Sequence, residues 1–243
     1  MSQGFDPHTH IKTIYVVGVG GTGSSAARVI ARTLYDMNRR QQHLPRLILV
    51  DPDVVEAKNV GRQALFLPAD IGAPKATTVA RRLSFALGLD VGAVPAPFDP
   101  ERHTDRYGGN LIVSCVDNHA ARQAIHRARG VHLGAGNHYN AGQCVIGTTN
   151  DADQVRHEAN WSREGVRHLP TEGLLFPSLL APEPPPTTPP AAACGEAVAA
   201  GDQSLLVNDW MATVSGGYVY RLLHRQPITS FITFVDAERG TVA

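Results

Sequence analysis

The sequence predicts an α/β fold: a doubly wound, Rossmann-like and mostly parallel sheet, followed by a long crossover loop and a C-terminal helix–strand unit. Three observations carry this prediction. A β-branched run leads into a glycine-rich turn, and strand-length and helix-length apolar periods then alternate through residue 150. After that a proline-rich stretch interrupts the pattern before both periods return. The 243 residues are 43% hydrophobic and 18% charged, which suffices for a sizeable core.

The first strand is expected over 13–17, where Thr13, Ile14, Tyr15, Val16 and Val17 form a β-branched and aromatic run. It enters Gly18-Val19-Gly20-Gly21-Thr22-Gly23 directly, and a helix follows over 24–40 with apolar residues at Ala27, Ile30, Ala31, Leu34 and Met37. A second strand over 46–50 ends in Asp51-Pro52-Asp53, and a second helix is expected over 74–87, with Pro74 suited to a first turn. A weak third strand is expected over 93–97. A stronger one spans 111–116 and closes on Asp117-Asn118. Helix 120–129 and strands 131–135 and 143–147 complete a Rossmann-like unit covering 1–150. Residues 150–193 lose periodicity and contain the run Pro182 to Pro190, which suits neither a helix nor a central strand. Residues 151–195 are therefore expected to form a partly disordered crossover loop. A helix over 205–223 and a strand over 230–235 are expected within a final segment, 196–243, packing on the same domain.

Lysine plus arginine and aspartate plus glutamate both total 22, so no general excess of positive charge favours nucleic acid. The three cysteines, Cys115, Cys144 and Cys194, are too few and too far apart for a disulfide framework or a cysteine zinc site. Cys115 and Cys144 read as small core residues. A polar start and the absence of a membrane-length apolar run lead to the expectation of a cytoplasmic protein with no membrane partner.

Glycines let backbone N–H groups approach phosphates, and a helix N-terminus adds positive potential there. Asp51, at the end of the second strand, stands where a ribose would be held. A dinucleotide oxidoreductase using NAD would use these features but leave Arg62, Lys75 and Asp117 idle. Two cations beside a glycine loop suit a triphosphate better, and a strand-end aspartate suits Mg²⁺. Asp117 could instead cap the following helix.

The set Gly18-Val19-Gly20-Gly21-Thr22-Gly23, Asp51-Pro52-Asp53, Asn59, Arg62-Gln63, Ile71-Gly72 with Lys75, and Cys115-Val116-Asp117-Asn118 with Arg122 resembles the ThiF/MoeB and ubiquitin-activating family of adenylating enzymes. The short chain and the stretch Gln203-Ser204-Leu205 look most like the ThiF-related subgroup of the ParB-related, ThiF-related plasmid cassette. The resemblance implies adenylation of the C-terminal glycine of a small ubiquitin-like or sulfur-carrier protein by ATP, with release of pyrophosphate. It implies that Gly18, Gly20, Gly21, Gly23, Asp51, Asp53 and Asn118 surround the nucleotide. It further implies that Asn59, Arg62, Gln63 and Lys75 grip the phosphates and that Asp117 binds Mg²⁺. Cys194 would be the thioester nucleophile of those members that form one, or else an incidental loop thiol. The family's paired C-x-x-C motifs are absent, so no zinc is expected. Its homodimer is implied, although the arginine-bearing helix before the first strand has no clear counterpart here. A non-catalytic partner-binding scaffold, like the inactive halves of heterodimeric activating enzymes, is the second reading.

Overall fold

Each side chain of β1 (Thr13–Val17) after the first belongs to one of two cores: Ile14 and Val16 to one, Tyr15 and Val17 to the other. A strand covered on both faces needs apolar residues at every position, which is why this run is continuous rather than alternating. β2 (Arg46–Val50) and β4 (Asn110–Ser114) divide the same way: Leu47, Leu49, Leu111 and Val113 join the first core, Val50 and Ile112 the second. The computed structural model describes residues 4–63, 65–161, 166–182 and 206–243.

Those residues include an eight-stranded sheet of order β3-β2-β1-β4-β5-β6-β7-β8. It is parallel from β3 (Val91–Val94) to β5 (Val131–His138). It becomes antiparallel through β6 (Ala141–Gly147), β7 (Ile232–Asp236) and β8 (Thr241–Val242). The chain leaves β1 toward β2 and β3, then returns to place β4 on the other flank of β1. This reversal opens a crevice beyond the carboxyl ends of β1 and β4, where open α/β sheets hold ligands.

Helices α1 (Gly21–Arg39) and α2 (Lys75–Leu87) bury Ala27, Ile30, Leu34 and Val79 in the first core. The second core is covered by the stretch between β3 and the short α3 (Pro100–His103), which supplies Phe98. It is also covered by α4 (His119–Arg127), which supplies Ala124 and Ile125. Two further helices, α5 (Ala152–Trp161) and α6 (Glu172–Leu175), precede α7 (Val207–Leu223). α7 lies against α1 so closely that a Cβ on Gly216 would stand 2.2 Å from Val29 Cγ1. Among the described residues no helix is long and apolar enough to cross a membrane.

The structure departs from the sequence expectations at element ends, with α1 starting at Gly21 rather than 24 and β4 ending at Ser114 rather than 116, and in four further places. β3 covers 91–94 rather than 93–97, because Pro95 and Pro97 lack the N–H that a ladder requires. Within the stretch expected to be aperiodic, residues 152–161 form α5, its start capped by the Asp151 carboxylate accepting from Asp153 N–H at 2.8 Å. The exposed residues at its start leave no apolar stripe for a sequence pattern to reveal. β5 continues past 135 to His138 and forms a hairpin with β6, its glycines having masked the strand signal. β8 is a two-residue edge pairing with β7, too short to carry a period. The run from Glu183 to Pro190, and Cys194, lie outside the described residues.

Candidate nucleotide site

The carboxyl ends of β1, β2 and β4 border a cleft of about 450 Å³. Its glycine-rich edge folds tightly back on itself. Gly18 has φ +84°, and a Cβ there would lie 2.7 Å from the Cys115 carbonyl oxygen. A Cβ on Gly23 would come within 1.7 Å of the Gly18 oxygen. Gly23 is therefore a packing residue behind the loop, while Gly18, Gly20, Gly21 and Thr22 line the cleft. Gly20 precedes α1 with no side-chain cap and no acidic residue in the first turn, so the helix offers its unpaired N–H groups and positive end to whatever binds.

Asp51 is 4% exposed, and its carboxylate accepts from the N–H of Val19 in the glycine loop and from Asp53 N–H at 2.8 Å. Burial pushes this carboxyl above the usual range; the two backbone donors and Lys75 pull it back toward the ionised form. Asp51 thus joins the glycine loop to the loop after β2. Lys75, the first residue of α2, is held by both ends of Asp53. Its Nζ donates to the Asp53 carboxylate at 2.9 Å and its N–H to the Asp53 carbonyl at 2.9 Å.

Arg62 and Gln63 face the same cleft, and among the described residues Arg62 Nε and Gln63 Oε1 are buried with no hydrogen-bond partner. Buried polar atoms are almost always paired, so two orphans on one wall mark a place where ligand atoms complete the set. Asn59 is not on that wall. Its Oδ1 accepts from Glu56 N–H at 2.8 Å and its carbonyl from Gln63 N–H at 2.9 Å, so it shapes the turn that presents Arg62 and Gln63.

On the β4 side, the cap of α4 is Asn118, whose Oδ1 accepts from Ala121 N–H at 2.9 Å. Asp117 does not cap; its exposed carboxylate borders the cleft with no partner among the described residues. Arg122 turns away from the cleft wall and donates to the Val116 carbonyl at 3.2 Å. Cys115 lines the cleft floor, and burial pushes its thiol far above the ordinary range. Cys144 is fully buried against α7, its thiol pushed up to about 12 by burial, which fits a core role. Pro97, Phe98, Val116, Ala120, Ala121 and Ala124 supply the cleft's apolar lining.

Two lining residues had no sequence signal. Asn137, near the end of β5, and Asn208, in the first turn of α7, reach the cleft. Each is a single polar residue whose place depends on how distant elements pack.

Among the described residues no group of three or more His, Cys, Asp or Glu side chains gathers around a point. Mg²⁺ does not need such a cage: it takes one or two carboxylates together with phosphates and water, which the lone Asp117 carboxylate fits. Asp51, Asp53 and Asp117 against Arg62 and Lys75 leave the wall one negative charge in excess, so a polyphosphate entering here needs added positive charge.

A model of the ThiF family matches residues 9–145. Ubiquitin-like modifier-activating enzyme 5 of Oryza sativa subsp. japonica is 30% identical over 134 residues, covering 48% of this chain and 29% of that protein. Its counterpart in Drosophila willistoni is 35% identical over 136 residues, covering 50% and 31%. The chain thus spans under a third of the length of these curated relatives. Solved structures of E. coli MccB share the fold. MccB with ATP aligns at TM-score 0.59 and 16% identity, covering 96% of this chain and 62% of that one. MccB with AMPCPP and MccA aligns at 0.59 and 14%, with the same coverage. The glycine loop, the β2 and β4 ends and every cleft-lining residue except Asn208 fall within the matched residues, and the chain belongs to the ThiF family.

Proposed function

We propose that this protein uses Mg-ATP to adenylate the C-terminal carboxylate of a small ubiquitin-like or sulfur-carrier protein. The observation that carries this reading is the cleft wall itself, where two buried atoms unpaired among the described residues, Arg62 Nε and Gln63 Oε1, share one cleft with Lys75 and an uncapped helix N-terminus. Activating enzymes of ubiquitin-like modifiers among the relatives, and ATP in an MccB neighbour, support it.

In this reading the base packs on the apolar lining at Phe98 and Asp51 accepts from a ribose hydroxyl. Arg62 and Lys75 neutralise the phosphates, and Gln63 accepts from a donor at the ligand. Mg²⁺ held by Asp117 supplies further positive charge to the phosphates. A carboxylate oxygen of the incoming C-terminus attacks the α-phosphorus, the bond to the β-phosphate bridging oxygen breaks, and pyrophosphate leaves with that electron pair. The protein forms no bond in this step, so positioning and charge neutralisation carry the catalysis. If the Cys194 thiolate then attacks the acyl carbonyl, AMP is the leaving group and a thioester forms. The finer assignments belong to the same proposal: a terminal glycine on the partner, membership of the plasmid-cassette subgroup, the 1–150, 151–195 and 196–243 division, a homodimer, and a cytoplasmic setting.

Calorimetric titration with Mg-ATP, NAD⁺ and NADH tests the proposal. Mg-ATP binding that weakens at least tenfold in Asp117→Asn is expected. Dinucleotide binding with no response to Mg-ATP would replace this reading with an oxidoreductase, and silence from all three would favour the partner-binding scaffold.

A further inference from the structure

Asn208 lies more than a hundred residues beyond the glycine loop, on a helix outside the matched region, yet its side chain is built into the loop. Its Oδ1 accepts from Thr22 Oγ1 at 2.8 Å and from Asn137 Nδ2 at 2.8 Å. Two donors on one oxygen fix which way the amide is turned. The Nδ2 therefore points to the Gly21 side, where it stands 2.5 Å from the position a Cβ on Gly21 would take. That space is what the glycine leaves free. Nδ2 has no acceptor among the described residues, although Asn208 as a whole is only 9% exposed and its open side is the cleft. An amide whose oxygen is doubly satisfied and whose nitrogen is unpaired, beside the unpaired N–H groups of a helix start, is a donor set lacking its acceptor.

We propose that Asn208 is a binding residue of the nucleotide site: its Nδ2 donates to a phosphate oxygen lodged at the glycine loop. The inference rests on the triphosphate reading above and deepens it. The donor comes from α7, so a bound phosphate ties the C-terminal helix to the start of α1, adding to the close packing that Gly216 and Val29 make farther along. Asn137 serves this arrangement indirectly, by holding the Asn208 oxygen rather than by touching the ligand.

The test is Asn208→Asp. Aspartate keeps an oxygen to accept from Thr22 and Asn137, but it exchanges the N–H donors for a negative charge. Binding of Mg-ATP and of adenosine is measured by calorimetry on the full chain, together with the ligand-free melting temperature. Loss of a hydrogen bond to a charged group, with added repulsion, should weaken Mg-ATP by about 30-fold or more. Adenosine affinity and the ligand-free melting temperature should stay at wild-type values. Asn208→Ala should weaken Mg-ATP by about tenfold. Mg-ATP affinity unchanged in Asn208→Asp overturns the assignment and leaves the triphosphate reading standing. Equal loss of ATP and adenosine, with a lowered melting temperature, shows a purely structural amide and overturns it too. A wild-type protein that binds no Mg-ATP removes the triphosphate reading and this inference together.

Discussion

Replacing Lys75 by methionine keeps the stem volume at a position only 9% exposed and removes its charge alone. At roughly 4 Å and an effective dielectric near 20, a unit charge pair is worth about 4 kcal/mol. Lys75 is already engaged by Asp53 at 2.9 Å, but Asp53 is 63% exposed, so that pair is worth at most about 1 kcal/mol. The difference, about 3 kcal/mol, corresponds to a loss in Mg-ATP affinity on the order of 100-fold. Adenosine, which has no phosphate, should bind Lys75→Met as it binds the wild type. Asp53→Asn should act in the opposite direction, because it frees Lys75 and removes a negative charge from the cleft wall; a gain of about fivefold is expected. Calorimetry on the four proteins of the double-mutant cycle separates the two contributions. The gain from Asp53→Asn should shrink in the Lys75→Met background, where no cation remains to be released. Wild-type ATP affinity in Lys75→Met would refute the reasoning, since the lysine would then be only a partner for Asp53.

Two further outcomes follow from packing and burial. Gly23→Ala places a Cβ 1.7 Å from the Gly18 oxygen, a backbone atom with no room to move, and should cost about 3 kcal/mol. At this chain length that lowers Tm by roughly 6–12 °C in a thermal melt; an unchanged Tm would show that the loop does not close as described. His132 is buried in β5 with Nε2 bonded to the Ala128 carbonyl at 2.9 Å, and burial lowers its pKa from 6.5 to about 4. As pH falls below 6.5 the unfolded chain takes up this proton first, so stability is present above 6.5 and is lost on the way down to 4. Urea unfolding should show the wild type losing about 2–3 kcal/mol more than His132→Gln between pH 7 and pH 4.5; equal losses would contradict the burial argument.

The central strands and the helices α1, α2 and α4 were legible because their signals are local. β1 and β4 are continuous apolar runs because both faces of the sheet are covered, and α1 shows its period because only one of its faces meets the core. The residues 152–161 hid a helix for the converse reason, since its exposed positions bury too little to pattern the sequence. Among site residues, Asp51, Arg62, Gln63 and Asp117 stand at the ends of strands or in the loops after them, and Lys75 opens the helix that follows one such loop. Their positions along the chain therefore already imply a shared crevice, and the fold gathers them there. Asn59 stands in the same loop, yet its side chain is spent on the turn. Asn118, expected beside the nucleotide and adjacent to Asp117, borders the same cleft while its Oδ1 caps α4. Which of two neighbouring polar side chains caps a helix depends on backbone dihedrals that composition does not encode. Asn208 lay beyond any local reading. Its contact with Thr22 spans 186 positions and exists because Gly216 lets α7 close on α1. Short-range periodicity thus determined which segments are strands and helices and which end of the sheet carries the chemistry. Long-range packing alone decided which side chains aim into the cleft, because side-chain direction there is set by elements that meet only after the chain has folded.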